Sequence, residues 1–204
     1  MKKQLSAYQD CTVSGIIDDL SEPFPTTSSG TQWRGISDRV MGGVSDGTLE
    51  RKEIVTNDDI CETRIMANVL EGMVSLENNG GFIQMATDLA LDPSRSTTVD
   101  ASKYSGIELT VLHNNTPSLS PESFNVHLRT PDCLRQPSSY RFTFELKQPN
   151  TWETIRIPFD KFVGYGAGAN EVPLNTSALK RIGIVAIGRE ISRVSLAVSK
   201  VSFY

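Results

Sequence analysis

Tyr140-Arg141-Phe142-Thr143-Phe144-Glu145-Leu146 alternates apolar and polar residues from end to end. Successive side chains of an extended strand point to opposite faces, so this run describes a strand with one buried and one wet side. Tyr140, Phe142, Phe144 and Leu146 are predicted to face the core, and Arg141, Thr143 and Glu145 to face out. The same period recurs nearby. Phe124, Val126 and Leu128 alternate with Asn125, His127 and Arg129; Ile155, Ile157 and Phe159 alternate with Thr154, Arg156 and Pro158; Ile107, Leu109 and Val111 alternate with Glu108 and Thr110. Helical signals are confined to short turns near Ser21 and from Asn175 to Lys180, and no internal repeat is present. The chain is therefore all-β, and many short strands separated by Gly, Pro and Asn turns imply a two-sheet sandwich.

Two details refine the strand pattern. Asn79-Gly80, between Val74-Ser75-Leu76 and Phe82-Ile83-Gln84-Met85, has the composition of a type I′ hairpin turn, which needs φ > 0 at both central residues. In the C-terminal run, Val194, Leu196 and Val198 share one phase while Val201 and Phe203 share the other, so a β-bulge is predicted near Ser199-Lys200. Pro117, Pro121, Pro131 and Pro137 fall between strands, where a missing N–H costs no ladder bond.

At 204 residues the chain suits one domain with a substantial core. Residues 1–28 are predicted to form a partly ordered N-terminal arm, and 29–204 a single β-sandwich domain. A formal net charge of −4 argues against a strongly basic nucleic-acid surface. Lys2 and Lys3 are not followed by an apolar run, and no stretch is long and apolar enough to span a bilayer, so a soluble, cytoplasmic protein is expected. Cys11, Cys61 and Cys133 are odd in number and lack Cys-x-x-Cys spacing, which suggests neither a disulfide framework nor a zinc site. His113 and His127 make no metal cluster, Asp18-Asp19 and Asp58-Asp59 read as solvated turn acids, and no cofactor is expected.

Asp38-Arg39-Val40-Met41-Gly42-Gly43-Val44-Ser45, just after Trp33, is unusual in β-rich sequence. It reads as a loop that dips into the core and turns tightly on its glycines, with Asp38 capping backbone N–H groups. Successive N–H groups of the Gly-Gly pair can also form an anion nest beside Arg39. Together with Asn78-Asn79-Gly80-Gly81-Phe82, Tyr104-Ser105-Gly106, Leu128-Arg129-Thr130, Tyr140-Arg141 and Trp152 followed by Ile157-Pro158-Phe159-Asp160-Lys161-Phe162, this ordered set resembles the complex I intermediate-associated protein 30 family. The resemblance runs from Trp33 nearly to Tyr204. It implies a jelly roll of the galactose-binding-domain type. One departure is Gln136-Pro137-Ser138, where many bacterial relatives carry a tryptophan.

The resemblance also implies a non-catalytic binding module that assembles or stabilises a multisubunit respiratory or photosynthetic membrane complex, with protein subunits or assembly intermediates as partners. Recognition is expected through the loops around Trp33 to Ser45 and Asn78 to Phe82, and through a polar sheet face. From periodicity, that face gathers Asn125, His127, Arg129, Arg141, Thr143, Glu145 and Arg156, where arginines offer planar donors to anionic or sugar oxygens. The candidate binding residues are Trp33, Asp38, Arg39, Asn78, His127, Arg129, Arg141 and Glu145. Carbohydrate or other small-ligand binding on the concave face is one alternative, and RNA binding another. No nucleophile, base and orienting group stand at a recognisable spacing, so an enzyme is not expected.

Overall fold

The computed structural model describes residues 8–57, 62–92, 94, 96–114 and 122–204. Cys61, Asp58-Asp59, Lys2, Lys3, Pro117 and Pro121 lie outside the described residues. The strands are β1 (Ile16–Asp18), β2 (Arg34–Ser37), β3 (Asp46–Asn57), β4 (Glu62–Val74), β5 (Phe82–Asp88), β6 (Gly106–His113), β7 (Glu122–Arg129), β8 (Ser139–Leu146), β9 (Glu153–Pro158), β10 (Val163–Tyr165), β11 (Arg181–Ile187) and β12 (Ile191–Phe203). They form two antiparallel sheets. The first has the order β3-β4-β12-β6-β9, with β1 also paired to β12; the second has the order β10-β8-β7-β11-β5-β2.

The strands read from their period, β6, β7, β8, β9 and β12, bury the predicted phase. Phe124, Val126 and Leu128 of β7, with Ile182, Ile184 and Ala186 of β11, face Leu109, Val111, Leu196 and Val198 of the first sheet across one continuous core. Burying apolar surface of this kind contributes about 25 cal/mol per Å² and is the main force closing the sandwich. Along β12 the register with β6 shifts between Val198 and Lys200. The extra residue, Ser199, lets Val198 and Val201 both point inward, as the change of phase requires.

The Asn79-Gly80 hairpin is not formed. β4 and β5 belong to different sheets, so residues 75–81 cross the sandwich edge instead of reversing within one sheet. Positive φ falls on Asn78, Asn79 and Gly81, while Gly80 is extended. The local chemistry that favours a tight turn is the same in both cases; which sheet the next strand joins is set by core packing.

Residues 8–28, predicted as an arm, are built into the sandwich. Cys11 and Ile17 are fully buried, and β1 pairs with β12. Asp18, read as a solvated turn acid, is 1% exposed and accepts hydrogen bonds from Trp33 Nε1 at 2.6 Å and Asn68 Nδ2 at 2.9 Å. The only sequence signal in this segment was short and apolar, and its partners lie far along the chain. Of the two predicted helical turns, Thr176–Ala178 forms, capped by the Asn175 side chain on Ser177 N. No described helix is long and apolar enough to cross a membrane.

Candidate functional site

Alternate residues of the second sheet project away from the core and form a cleft of about 590 Å³. Its floor follows from cross-strand register. Arg141 of β8 pairs with His127 of β7, His127 with Gly183 of β11, and Gly183 with Ala86 of β5. The two smallest side chains thus lie side by side in the middle of the face, and the sheet is hollow there. A Cβ on Gly183 would already stand 3.1 Å from Gln84 Oε1.

One end of the cleft is cationic. Arg129 donates to the carbonyls of Cys133, Arg135 and Gln136, with Arg135 O at 3.0 Å, and so clamps the loop after β7. That loop presents Pro137 O to Arg141 Nη2 at 3.0 Å, while Arg141 Nε donates to Ser139 Oγ at 3.0 Å. The Arg141 guanidinium lies 3.6 Å from the centre of the Tyr165 ring, which fixes its plane. Next to Arg129 in the sheet, Arg181 pairs with Asp88 at 2.7 Å, and Arg34 shares the same carboxylate. Burial opposes the Asp88 charge, but the Arg181 and Arg34 guanidinium groups outweigh it and hold the carboxyl below its usual range.

His127 lies between these cations. Burial, then Arg141 and Arg129, push its pKa down to about 3, so the ring is neutral at physiological pH. The other end of the cleft is apolar: Ile36, Phe82, Val185 and Ile187 continue the face, and Val40 and Met41 form a lip 74% and 54% exposed.

The predicted site residues divide accordingly. His127, Arg129 and Arg141 line the cleft together. Glu145 is on the same strand as Arg141 but exposed and outside the lining. Arg156 is not on this face at all: it belongs to β9 in the first sheet, where it pairs with Glu108 at 2.8 Å. Periodicity reports which face a residue takes, not which sheet. Trp33 is 2% exposed and packs in the core, so it offers no platform to a ligand. Trp152 is half-buried against Ala67, Val69, Leu112 and Ala197 of the first sheet.

Asp38 is a buried structural anchor rather than a contact residue. Its carboxylate accepts from Ser45 N at 3.0 Å, Ser45 Oγ at 2.5 Å, Gly81 N at 2.6 Å and Phe82 N at 3.2 Å. It thereby ties the 38–45 loop to the crossing segment. Gly80 is needed for this approach, since a Cβ there would meet Asp38 Oδ2 at 2.5 Å. The anion nest is absent because the Gly42 and Gly43 N–H groups already donate to Arg39 O and Asp38 O. Arg39 is exposed and pairs with Asp46 at 3.4 Å. Asn78 bridges the two loops by donating to Gly42 O at 3.3 Å.

The two adjacent glycines are required for different reasons, which gives a test. Gly42 has φ of +89° with nothing within 4 Å of an added Cβ, whereas a Cβ on Gly43 would overlap the Asp38 carboxylate. Gly42→Val should therefore cost about 1–3 kcal/mol of backbone strain. Gly43→Val should cost about 3 kcal/mol or more, because it drives a buried acceptor off its donors. Urea unfolding of the two variants checks this, and equal losses would show that strain alone governs the turn.

A family model for complex I intermediate-associated protein 30 matches residues 23–198. The chain belongs to this family. No curated protein matches the sequence. Among solved structures, a family 11 carbohydrate-binding module from Clostridium thermocellum, in complex with a β-1,3-1,4-mixed-linked tetrasaccharide, is similar at a TM-score of 0.60 and 11% identity, covering 93% of this chain and 94% of that one. The family 11 module of the cellulosomal cellulase Lic26A-Cel5E of C. thermocellum gives 0.56 and 12%, covering 92% of each chain. At such identities the likeness establishes the β-sandwich alone. The chain is thus a complex I intermediate-associated protein 30 family member built on a two-sheet β-sandwich.

Tyr165, Arg181 and Gly183 were missed in the sequence, whereas Val40 and Met41 lie in the 33–45 loop region expected to take part in recognition. Arg181-Ile182-Gly183-Ile184-Val185-Ala186-Ile187 reads as a strand apolar on both faces, which hid the hollow at Gly183. The available signal was a glycine inside a strand, which marks close approach of backbone or ligand.

Proposed function

We propose that this protein is a non-catalytic binding module that engages an assembly intermediate of a multisubunit membrane complex, using the cleft of the second sheet to hold part of a partner subunit. The observation that carries the reading is the family match, which spans nearly the whole sandwich and includes every cleft strand. An open, preorganised cleft supports it, because a rigid site loses little entropy on binding.

Affinity capture of tagged protein from native membranes at low salt should recover subunits of one complex. Arg141→Ala should weaken that capture by tenfold or more, as expected for loss of a charge-assisted contact. Its melting temperature should move little, since Arg141 has no carboxylate partner among the described residues. Capture that returns no membrane-complex subunit would overturn the reading.

A sugar ligand is the second reading, favoured by Tyr165, whose ring is 53% exposed at the cleft mouth. Against it, one face of that ring already carries the Arg141 guanidinium. Calorimetric titration with a mixed-linked β-glucan tetrasaccharide tests it, and a saturable signal abolished by Tyr165→Ala would support it.

A further inference from the structure

We infer that the cleft recognises an acidic, aliphatic-containing extended peptide segment of its partner, with Arg141 as the carboxylate-reading residue and Arg129 as its positioning residue. This rests on the assembly reading above and names the chemistry of the segment bound.

Charge is the first argument. The acceptors of both arginines are neutral: backbone carbonyls for Arg129, and a carbonyl, a hydroxyl and an aromatic ring for Arg141. No Asp or Glu pairs with either among the described residues. Two half-buried cations therefore stand uncompensated in a chain of net charge −4. Burial lowers the pKa of each, a sign that their charge is held against a desolvation cost. An incoming anion offsets that cost.

Geometry is the second. A guanidinium carries five N–H donors, and the bonds of Arg141 to Ser139 and Pro137 do not exhaust them. Its plane is set before binding by Tyr165 below and by the loop that Arg129 clamps. Fixed planar donors suit a carboxylate.

The apolar end decides between classes of ligand. Val40 and Met41 expose aliphatic side chains beside Phe82 and Ile36, which offer nothing to sugar hydroxyls or phosphates but fit a Leu, Ile or Met side chain. Phe82 at the apolar end lies three strand spacings across the sheet from Arg141 and four residues along β5 from the Arg141–Ala86 row, about 20 Å in all. That is the length of roughly six extended residues, so one short segment can place an acid at one end and an aliphatic group at the other.

The test is selection of a random dodecapeptide library on the intact protein, followed by fluorescence anisotropy with the enriched peptides. Enriched peptides should carry Asp or Glu about six residues from an aliphatic side chain, and raising the salt should weaken them. Arg141→Gln, or Gln for the peptide's acid, should each lower affinity tenfold or more, and the two changes together should cost little beyond either. Arg141→Lys should recover part of the loss. Arg129→Ala should weaken binding while also broadening the NMR signals of residues 133–137, which a direct contact role would leave sharp.

Peptides without acidic preference, no enrichment, or displacement of the peptide by polygalacturonate fragments with higher affinity would each overturn the inference. If membrane subunits are captured as before by Arg141→Gln, the assembly role survives, while the contribution of Arg141 to capture and this inference both fail. If acidic peptides bind but no complex subunit is recovered from membranes, the segment chemistry stands and the assembly reading falls.

Discussion

Asp38→Ala should destabilise the protein by about 3–5 kcal/mol, the range for removing one side of a buried charged interaction. The carboxylate is fully buried and accepts from Ser45, Gly81 and Phe82, all of which would lose their acceptor at once. Each buried donor left unsatisfied costs about 1–3 kcal/mol. Burial acts against the Asp38 charge, but the bonds from Gly81, Ser45 and Phe82 outweigh it and hold the carboxyl below its usual range. The folded value thus lies under the unfolded one, so the unfolded chain takes up the proton first as pH falls. The contribution is complete above the unfolded value of about 3.9, and it is lost as pH drops through the folded one. Urea midpoints of the parent and Asp38→Ala should therefore differ widely at pH 7 and draw together below about pH 4. A constant gap across that window would mean the carboxylate is not the anchor.

The second large effect is expected at Asp18. Its carboxylate is buried among Trp33, Asn68, Leu20 and Ser28, with Arg51 Nη2 at 3.7 Å. Asp18→Ala would leave the Trp33 indole N–H and the Asn68 amide without their acceptor and take the carboxylate from Arg51, which is only 11% exposed and keeps bonds to Asn68, Leu20 and Glu22, at a cost of about 3–5 kcal/mol. The family match begins at residue 23, so its boundary cuts through this network. A chain shortened to start at residue 23 should lose stability comparable to Asp18→Ala, although it retains the whole matched region. Trp33 fluorescence during urea unfolding would follow both, and a truncated chain as stable as the parent would show that β1 adds nothing.

Local alternation carried most of the fold. It placed Phe124, Val126, Leu128, Tyr140, Phe144 and Leu146 inward, and the change of phase between Val198 and Val201 located the bulge. Local chemistry failed where partners are distant. Asn79-Gly80 has turn composition whether the chain reverses or crosses, and Arg156 alternates like Arg141 while lying in the other sheet. Asp38 caps backbone N–H groups as read, with Ser45 close by in sequence, but its bonds from Gly81 and Phe82, like the bond of Trp33 to Asp18, join segments that no spacing rule connects. In the cleft, His127, Arg129 and Arg141 were readable from their period. Tyr165 sits on a three-residue strand too short to show one, and Gly183 is defined by what surrounds it.

The order of strands has a consequence for when the cleft exists. β11 is the link between β7 and β5 in one sheet, and β12 the link between β4 and β6 in the other. During synthesis, a chain grown only to residue 180 holds a β2-β5 pair and a β7-β8-β10 group with nothing to join them. Long-range pairings of this kind are paid for late in folding. The recognition surface thus exists only after β11 has been made and has joined the two groups, so a nascent chain shorter than that cannot capture a partner.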